Sequence, residues 1–392
     1  MKKDKRKVDS YIFLPCILND INKISSLNHG EDKYDMIKNL KLTSNYEINP
    51  DLNLNLDRVY LEEIEISYYP IFDEEKKEKM TETAQIFLTY QKSNKIGVII
   101  ICIPDFKGEL TNFYDDITKE KSHVNDESSI MNYLSKKYLI SKSGSFHSLT
   151  FSDKGFDLKY MCSLLSNEAY LTTVNSEIVG KELEVVATNN VELYDFQELY
   201  AYDTSLVAIL KNFSPSFPER VFNEVQTIFI VEMVLLQNAV LIRNNKEVIK
   251  KIENAKSLSM KQIKEITFQF AKAIKLWDFK LYKYPITRRM ANIIYKAFNI
   301  DKVYEVYANN QTFLEHLINI HSVIVNERES KILNVILIIL AATQAAPIIY
   351  AAYQNVNANT FLLTDYVLAI TIPFITLIII LIFINKNKKR MK

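Results

Sequence analysis

The chain has 392 residues, of which 24% are charged, and its 48 Lys and Arg nearly balance its 47 Asp and Glu to give a formal net charge of +1. This balance argues against a nucleic-acid-binding surface, which requires an excess of basic side chains, so direct nucleic-acid binding is not expected. The cysteines at 16, 102 and 162 lack metal-ligand spacing, and their odd number predicts reduced thiols in a cytosolic environment. The basic N-terminus is followed by only a short apolar patch, so no secretory signal is predicted.

Residues 1–214 are predicted to form a cytoplasmic sensor domain of α/β or α+β class, because short β-rich runs alternate with helical patterns. Residues 96–103 are continuously apolar, as expected for a strand that is buried on both faces. Residues 107–126 contain three Asp, three Lys and one Ser, a polar composition from which an exposed loop is predicted. The predicted strands are 11–14, 59–69, 84–90, 96–103 and 183–187, and the predicted helices lie near 34–40, 128–138 and 158–166.

Residues 215–300 contain no glycine and carry long helical patterns, which predicts a cytoplasmic helical bundle. A capping box at 216–219, with proline in the first turn, predicts a helix that runs to about Asn254. Its apolar run at 228–242 contains Glu232, so a buried helix is favoured over a membrane span. A second capping box opens a helix at Ser259, and a short third helix is predicted at 287–298.

A much longer helical pattern begins at Asp301, a residue type suited to an N-cap, and continues to Tyr353. Residues 332–353 carry no charge, and 22 residues at ~1.5 Å each give about 33 Å, enough to cross a hydrocarbon core of about 30 Å. The sequence therefore predicts a stalk helix at 301–331 that continues into a first transmembrane helix at 332–353.

A second apolar segment at 367–385 follows an outer loop at 354–366 and precedes a basic tail at 386–392. The loop has no Lys or Arg, whereas basic residues flank both apolar segments on their other sides, so the positive-inside rule places both termini in the cytoplasm. A buried core helix is the alternative for each segment. The pattern favours a two-helix transmembrane hairpin.

The polar residues of the first span predict where a pore would run, because intramembrane polar groups usually face a bundle interior or a wet cavity. Asn334 and Thr343 lie nine positions apart, about 180° around a helix, so one straight helix cannot turn both to the same axis. The face that contains Asn334 is favoured as the pore lining, because most of its other residues are small. Thr343 and Gln344, near Pro347, would then contact a neighbouring subunit. The predicted pore-lining residues are Asn334, Ala341, Ala345, Ile348 and Ala352, with Asn355 and Asn357 at the outer mouth.

Candidate ligand-binding residues are few. Arg288 and Arg289, with Lys280 and Lys283 nearby, are predicted to bind a phosphate group, and the alternative is a solvated or lipid-facing basic surface. No nucleotide-binding loop, metalloprotease motif or nucleophile motif occurs, so no catalytic residue and no enzyme activity are predicted. The metal ligands, if any, are unknown. His316 and His321 point in different directions on a helix, so they are not predicted to bind one metal ion. Glu315, Glu327 and Glu329 could form rings of acidic side chains in an oligomer, but a solvated helix face is favoured.

The order of these parts in residues 216–392 resembles the CorA-like superfamily of two-span magnesium channels and transporters. In that family five subunits assemble, the first span lines the pore, the long helix forms a funnel and the second span packs outside. The resemblance implies a homo-oligomer, a pentamer by analogy, in contact with the lipid membrane and with ions. The family's Gly-Met-Asn tripeptide closes the first span, whereas this chain has Ala351 and Ala352 at the equivalent place.

A divergent CorA-like branch is associated with type III CRISPR antiviral defence, and its members are regarded as membrane effectors activated by a nucleotide messenger of the SAM-AMP type. This chain is similar to that branch, since it retains the two-span topology without the filter signature. The resemblance implies a ligand-gated pore with either a nucleotide messenger or Mg²⁺ as ligand. Two alternatives stay open: a CorA-type transporter of magnesium or another divalent cation, and a membrane-anchored interaction module.

Overall fold

The computed structural model describes residues 8–26, 35–49, 54–69, 79–125, 128–169, 190–194, 197–210, 217–254, 264–265, 267–268 and 281–356. The chain divides into two compact units, Met1–Thr312 and Phe313–Lys392. The first unit contains both the predicted sheet domain and the described helices of the predicted bundle.

The first unit is a mixed α/β structure, which agrees with the predicted class. Its described strands are β1 (Val8–Leu18), β2 (Leu56–Tyr68), β3 (Met80–Gln91), β4 (Ile96–Ile103), β5 (His123–Val124), β6 (Ser128–Ser129), β7 (Ile140–Lys142), β8 (His147–Ser152), β9 (Asn190–Tyr194), β10 (Gln197–Tyr202) and β11 (Ser205–Leu210). The described helices of the chain are α1 (Ile21–Ser25), α2 (Asp35–Glu47), α3 (Leu110–Thr118), α4 (Ile130–Tyr138), α5 (Leu158–Ser166), α6 (Phe217–Asn254), α7 (Pro285–Ala297) and α8 (Ile300–Val356).

The strands of the described chain form one sheet in the order β6-β5-β2-β3-β4-β1-β8-β11-β10-β9, and β7 also pairs with β1. Neighbouring strands are antiparallel except β8 and β11, which are parallel. The hydrophobic core of the first unit includes side chains of the neighbouring strands β1, β3 and β4, in the middle of the sheet.

Strand β4 lies between β1 and β3, and all eight of its residues are buried. Because successive side chains of a strand point to opposite faces, burial of every residue requires cover on both faces of the sheet. Ile99, Ile101 and Ile103 belong to the hydrophobic cluster that also contains residues of α3, α4 and α5. Helix α6 packs against β4 and β1 as well. The prediction for residues 96–103 is therefore confirmed, including both ends of the strand.

Helix α6 begins and ends close to the predicted limits and is long and apolar enough to cross a membrane by composition alone. Its most apolar window within Asn223–Lys250 is nevertheless 94% buried inside the protein. This burial agrees with the prediction of a core helix, because the neighbouring elements already cover its apolar side chains.

The prediction of an exposed loop at 107–126 is wrong. Residues Leu110–Thr118 form α3, in which every residue except Thr118 is buried. Its apolar residues follow helical three-four spacing, and its two buried aspartates have partners: Asp115 pairs with Lys119 at 2.6 Å, and Asp116 accepts the Tyr69 N–H at 2.9 Å. The charge-rich composition misled the prediction because each carboxylate has a partner inside the folded protein, and the partner of Asp116 is 47 positions away in the chain. The residues with this spacing are Leu110, Phe113, Tyr114 and Ile117.

Helix α8 runs without interruption from Ile300 to Val356, which confirms the prediction of one long helix through this region. It begins one residue earlier than predicted, so Asp301 lies in the first turn rather than at the N-cap. Several predicted elements lie wholly or mostly outside the described residues. These are the strand at 183–187, the helix that opens at Ser259, the outer loop after Val356, the second span at 367–385 and the basic tail.

Candidate ligand cavity

A cavity of about 1080 Å³ opens beside the C-terminal half of α2, the start of β2 and the turn between β3 and β4. Its volume is slightly above the ~300–1,000 Å³ that is usual for small-molecule sites. Nine of the twelve described lining residues carry amide, hydroxyl or charged groups, and the other three are Ile48, Leu54 and Leu56. The described lining residues are Lys41, Ser44, Asn45, Ile48, Asn49, Leu54, Asn55, Leu56, Asp57, Arg58, Lys92 and Ser93.

Three cationic side chains line this cavity, whereas Asp57 is the one carboxylate among the described lining residues. Asp57 pairs with Lys92, the Oδ2–Nζ distance being 3.1 Å, and both side chains are partly exposed. A solvated ion pair of this kind contributes only about 0–1 kcal/mol to the stability of the folded protein, so little free energy is needed to separate the two side chains. The electrostatic character of the cavity therefore favours an anion.

Arg58 differs from the two lysines because it is buried, with 4% of its side chain exposed, and is held by fully buried Glu232 of α6. Its Nη2 donates to Glu232 Oε2 at 2.6 Å, and its Nε donates to Oε1 at 3.2 Å. Thr89 of β3 also donates its hydroxyl to Oε1. The carboxylate that interrupts the apolar run of α6 thus has a two-point guanidinium partner, as a buried charge requires.

The geometry of this pair leaves part of the guanidinium group unused. Glu232 occupies Nε and Nη2, and Arg58 also lies over the Phe229 ring at 5.8 Å from its centroid. Within the described part of the chain, no hydrogen bond engages Arg58 Nη1. Arg58 is also among the lining residues of the cavity, where only 4% of its side chain is exposed.

A second buried carboxylate, Glu47, holds the end of α2 against two other helices. It is fully buried and accepts hydrogen bonds from Gln226 Nε2 at 2.6 Å and from Thr287 Oγ1 at 2.5 Å. Its carbonyl oxygen accepts the Lys283 N–H at 2.7 Å. These bonds fix the helix that carries Lys41, so one wall of the cavity is tied to α6 and α7.

The predicted phosphate-binding residues Arg288 and Arg289 are exposed on α7 and do not belong to the described cavity lining. Arg288 Nη2 donates to the Lys283 carbonyl oxygen at 3.4 Å. Lys283 Nζ lies 5.2 Å from the centroid of the Tyr284 ring and 5.9 Å from that of the Tyr46 ring. The structure therefore places Arg288 against the backbone of Lys283, whose ammonium group lies over two tyrosine rings, while Lys280 lies outside the described residues.

The predicted pore residues all lie in α8 except Asn357, which is outside the described residues. Asn334 and Ala341 are exposed in the single chain, and the structure describes no side-chain positions for Ala345, Ile348, Ala352 and Asn355. The choice between the Asn334 line and the Thr343 face therefore stays a prediction. In the stalk part of α8, His316 is exposed, as are Glu315, Glu327 and Glu329.

Metal and thiol chemistry find little support in the described residues. No group of three or more potential metal ligands lies together there. Cys16, Cys102 and Cys162 are free and buried, in agreement with the prediction of reduced thiols. Burial raises the pKa of Cys102 to about 12 and raises that of Cys16 further, so both are thiols rather than reactive thiolates near neutral pH.

Sequence reasoning missed the cavity and its cationic residues Lys41, Arg58 and Lys92. One signal was available: Glu232 interrupts an apolar helix, and a buried carboxylate requires a cationic partner elsewhere in the chain. The sequence did not show which cation that was, because 174 positions separate Arg58 from Glu232.

No protein-family model matches the chain, and no curated protein or solved structure shows significant similarity to it.

Proposed function

We propose that this chain is a subunit of an oligomeric, CorA-like membrane pore that is opened by a ligand of its α/β domain. The favoured ligand is a nucleotide messenger of the SAM-AMP type, and the favoured role is that of a membrane effector in type III CRISPR antiviral defence. The observation that carries the proposal is α8, a continuous 57-residue helix in which a polar stalk sequence passes directly into an uncharged one.

The stalk part of α8 supports self-association. In the part of the stalk from Phe313 to Ile324, the exposed large apolar residues fall within an arc of about 100° when each residue advances by about 100°, whereas Tyr304, nearer the start of the stalk, lies on another face. An apolar stripe of this width on a helix is normally covered by a partner, and in a ring of identical subunits it would be covered by another stalk. The residues of this stripe are Phe313, Ile320, Val323 and Ile324.

The next part of α8 has a different distribution that supports contact with lipid. Its exposed apolar residues extend over an arc of about 200° around the helix, which is more than one neighbouring helix covers. In a membrane protein, lipid and adjacent spans together cover such a surface. The residues are Leu333, Val335, Leu337 and Ile338, and they lie within the predicted first span.

Helix α6 supports this assignment by contrast, because its apolar side chains are already buried within the first unit. The proposal therefore assigns membrane insertion to 332–353 and 367–385, in the inner membrane of a bacterium with both termini in the cytoplasm. The pentamer and the ion pathway rest on the resemblance alone.

Two other functions are distinguished by specific features. A CorA-type magnesium transporter would share the topology, but this chain has Ala351 and Ala352 where the family has the glycine and methionine of its entrance motif. A membrane-anchored interaction module would need no stalk partner, and it would be monomeric after extraction.

The decisive experiment combines topology, mass and flux. A cysteine introduced at Asn357 should react with a membrane-impermeant reagent in whole cells, whereas one at Lys388 should not, and the native cysteines are buried.

The mass in nanodiscs should show a ring of subunits, and Ala341→Phe should block ion flux without dissociating the ring. A monomer or simple dimer would overturn the pore proposal, and loss of flux in Thr343→Phe alone would assign the other face to the pore.

A further inference from the structure

We propose that Glu327 and Lys331 of α8 form ion pairs between adjacent copies of this chain, each glutamate with the lysine of its neighbour. The partner of this surface is thus a second copy, which lies parallel to the first and in register with it along the stalk. This inference deepens the proposed function, because it names a contact that joins the subunits, and it rests on that function for the parallel orientation.

Glu327 and Lys331 lie on the same face of α8 as Phe313. At about 100° per residue, Lys331 has the same orientation as Phe313, and Glu327 differs from it by about 40°. Both fall within the arc of the apolar stripe. Glu315 and Glu329, by contrast, are turned about 160° away from Phe313. A partner that covers the stripe therefore covers Glu327 and Lys331 but leaves these two other glutamates in solvent.

The apolar surface continues on both sides of the two charges. Ile338 follows Ile320 by about five complete helical turns, so the two side chains have the same orientation. Both are exposed in the single chain, and about 27 Å of helix separates them. A neighbouring helix that covers both isoleucines also covers the polar residues between them on this face. These residues are Glu327, Lys331 and Asn334, all of which are exposed in the single chain.

Covering Glu327 and Lys331 requires partners of opposite charge, because a charge that is removed from water without one is strongly destabilising. Four positions is a spacing that permits an ion pair within one helix. Within the described part of the chain, however, no ion pair engages either side chain. A second stalk supplies both missing charges on the same stripe, so the surface is complementary to itself.

A parallel arrangement in register brings these opposite charges within reach of one another. Glu327 and Lys331 are about 6 Å apart along the helix axis, and the axes of packed helices lie about 8–10 Å apart, distances that two long side chains can bridge. An antiparallel pair would also match the charges, with Ile320 of one copy beside Ile338 of the other. Two chains that are inserted in the same direction in one membrane cannot adopt that arrangement.

The first test reverses the charges and then mixes the variants. Glu327→Lys and Lys331→Glu each place only like charges on this part of the stripe, so each variant alone should assemble at least about tenfold more weakly than the unaltered chain. The mass of the detergent-solubilised protein at increasing dilution measures this change. Glu329→Lys makes the same charge change on the opposite side of α8, and it should assemble like the unaltered chain.

Coexpression of the two reversed variants with different affinity tags distinguishes pairs between copies from pairs within one helix. In the mixture, opposite charges at these positions meet only between copies, because each chain carries two charges of the same sign. The two variants should therefore co-purify and recover the assembly that each loses alone.

Thiol crosslinking reports the orientation, since the native cysteines are buried. Parallel stalks in register should crosslink two chains of Ile320→Cys to each other. Antiparallel stalks would instead crosslink Ile320→Cys to Ile338→Cys, and that result overturns the inference. It is also overturned if both reversed variants assemble normally, as they would with solvated side chains, or if coexpression restores no assembly.

Pore formation is scored separately by ion flux, so the two proposals can fail independently. A ring that conducts ions but tolerates both charge reversals refutes the ion pairs and leaves the proposed pore standing. A parallel assembly that depends on these charges but conducts no ions refutes the pore and leaves the contact between copies standing.

Discussion

Thr287 Oγ1 donates a hydrogen bond of 2.5 Å to Glu47 Oε2, although 240 positions separate the two residues in the chain. Glu47 ends α2 and Thr287 lies in the first turn of α7, so this bond joins the sheet-rich part of the first unit to a helix predicted to belong to a separate bundle. Both side chains are buried. Loss of either partner leaves a polar group without compensation in the interior.

Thr287→Val should therefore lower the free energy of unfolding by about 1–3 kcal/mol, because it keeps the side-chain shape and removes the donor. Denaturant unfolding of the purified protein measures the change. Thr312→Val is the matched control, since Thr312 is exposed on α8, and it should change stability by less than about 0.5 kcal/mol. Equal effects in the two variants would contradict the role assigned to the Glu47 contact.

The buried pair between Arg58 and Glu232 predicts strong coupling in a double-mutant cycle. Arg58→Met and Glu232→Gln should each destabilise the protein by about 3–5 kcal/mol, because each leaves one buried charge without its partner. The double variant should recover most of that loss, since no uncompensated charge is left. Urea unfolding of the four proteins gives the coupling free energy. Additive losses would show that the two side chains do not interact in the folded protein.

A side chain at position 108 is expected to clash with the hydroxyl group of Tyr68. A Cβ at this position would lie 1.8 Å from Tyr68 Oη, so Gly108→Ala should destabilise the protein by about 1–3 kcal/mol. In a Tyr68→Phe background the same change should be much less harmful, because the clashing oxygen is gone. Gly155→Ala, where the nearest atom would be 3.9 Å away, is the control and should be close to neutral in thermal unfolding. If Tyr68→Phe gives no relief, the clash is not with this hydroxyl.

His147 predicts a loss of stability in mild acid. Burial lowers the pKa of His147 to about 3, below the ~6.5 of the unfolded chain, so the unfolded chain binds the extra proton between these values. The contribution of neutral His147 to the free energy of unfolding is complete above about pH 6.5. It falls as the pH is lowered, and about 2 kcal/mol of it is lost at pH 5.

The variant His147→Phe isolates this contribution, because it keeps an aromatic ring beside Phe298, whose ring centroid lies 4.4 Å from that of His147. The difference in unfolding free energy between pH 8 and pH 5 should shrink by about 2 kcal/mol in this variant. The same substitution of exposed His123 should leave the pH dependence unchanged. An unaltered pH dependence in His147→Phe would mean that His147 is protonated in the folded protein.

The elements that the sequence predicted best are those with one dominant local pattern. Strand β4 and helix α5 begin and end at their predicted residues, and α8 departs from its predicted limits by only a few. In each, an apolar run or a helical period extends over the whole element, so local preference and burial agree. Helix α3 was missed because its apolar period is mixed with acidic residues that the folded protein pairs with partners.

The class of the fold, the long α8 and the core position of α6 could be predicted from the sequence, because each depends on the order of apolar and polar residues along one segment. The tertiary structure alone decided the order of the strands, the partner of Glu232 and the cavity that contains Arg58. These features join residues that are far apart in the chain, and many pairings are compatible with the same local patterns. Only simultaneous packing of all elements selects the one that covers both faces of strand β4 and pairs Glu232 with Arg58.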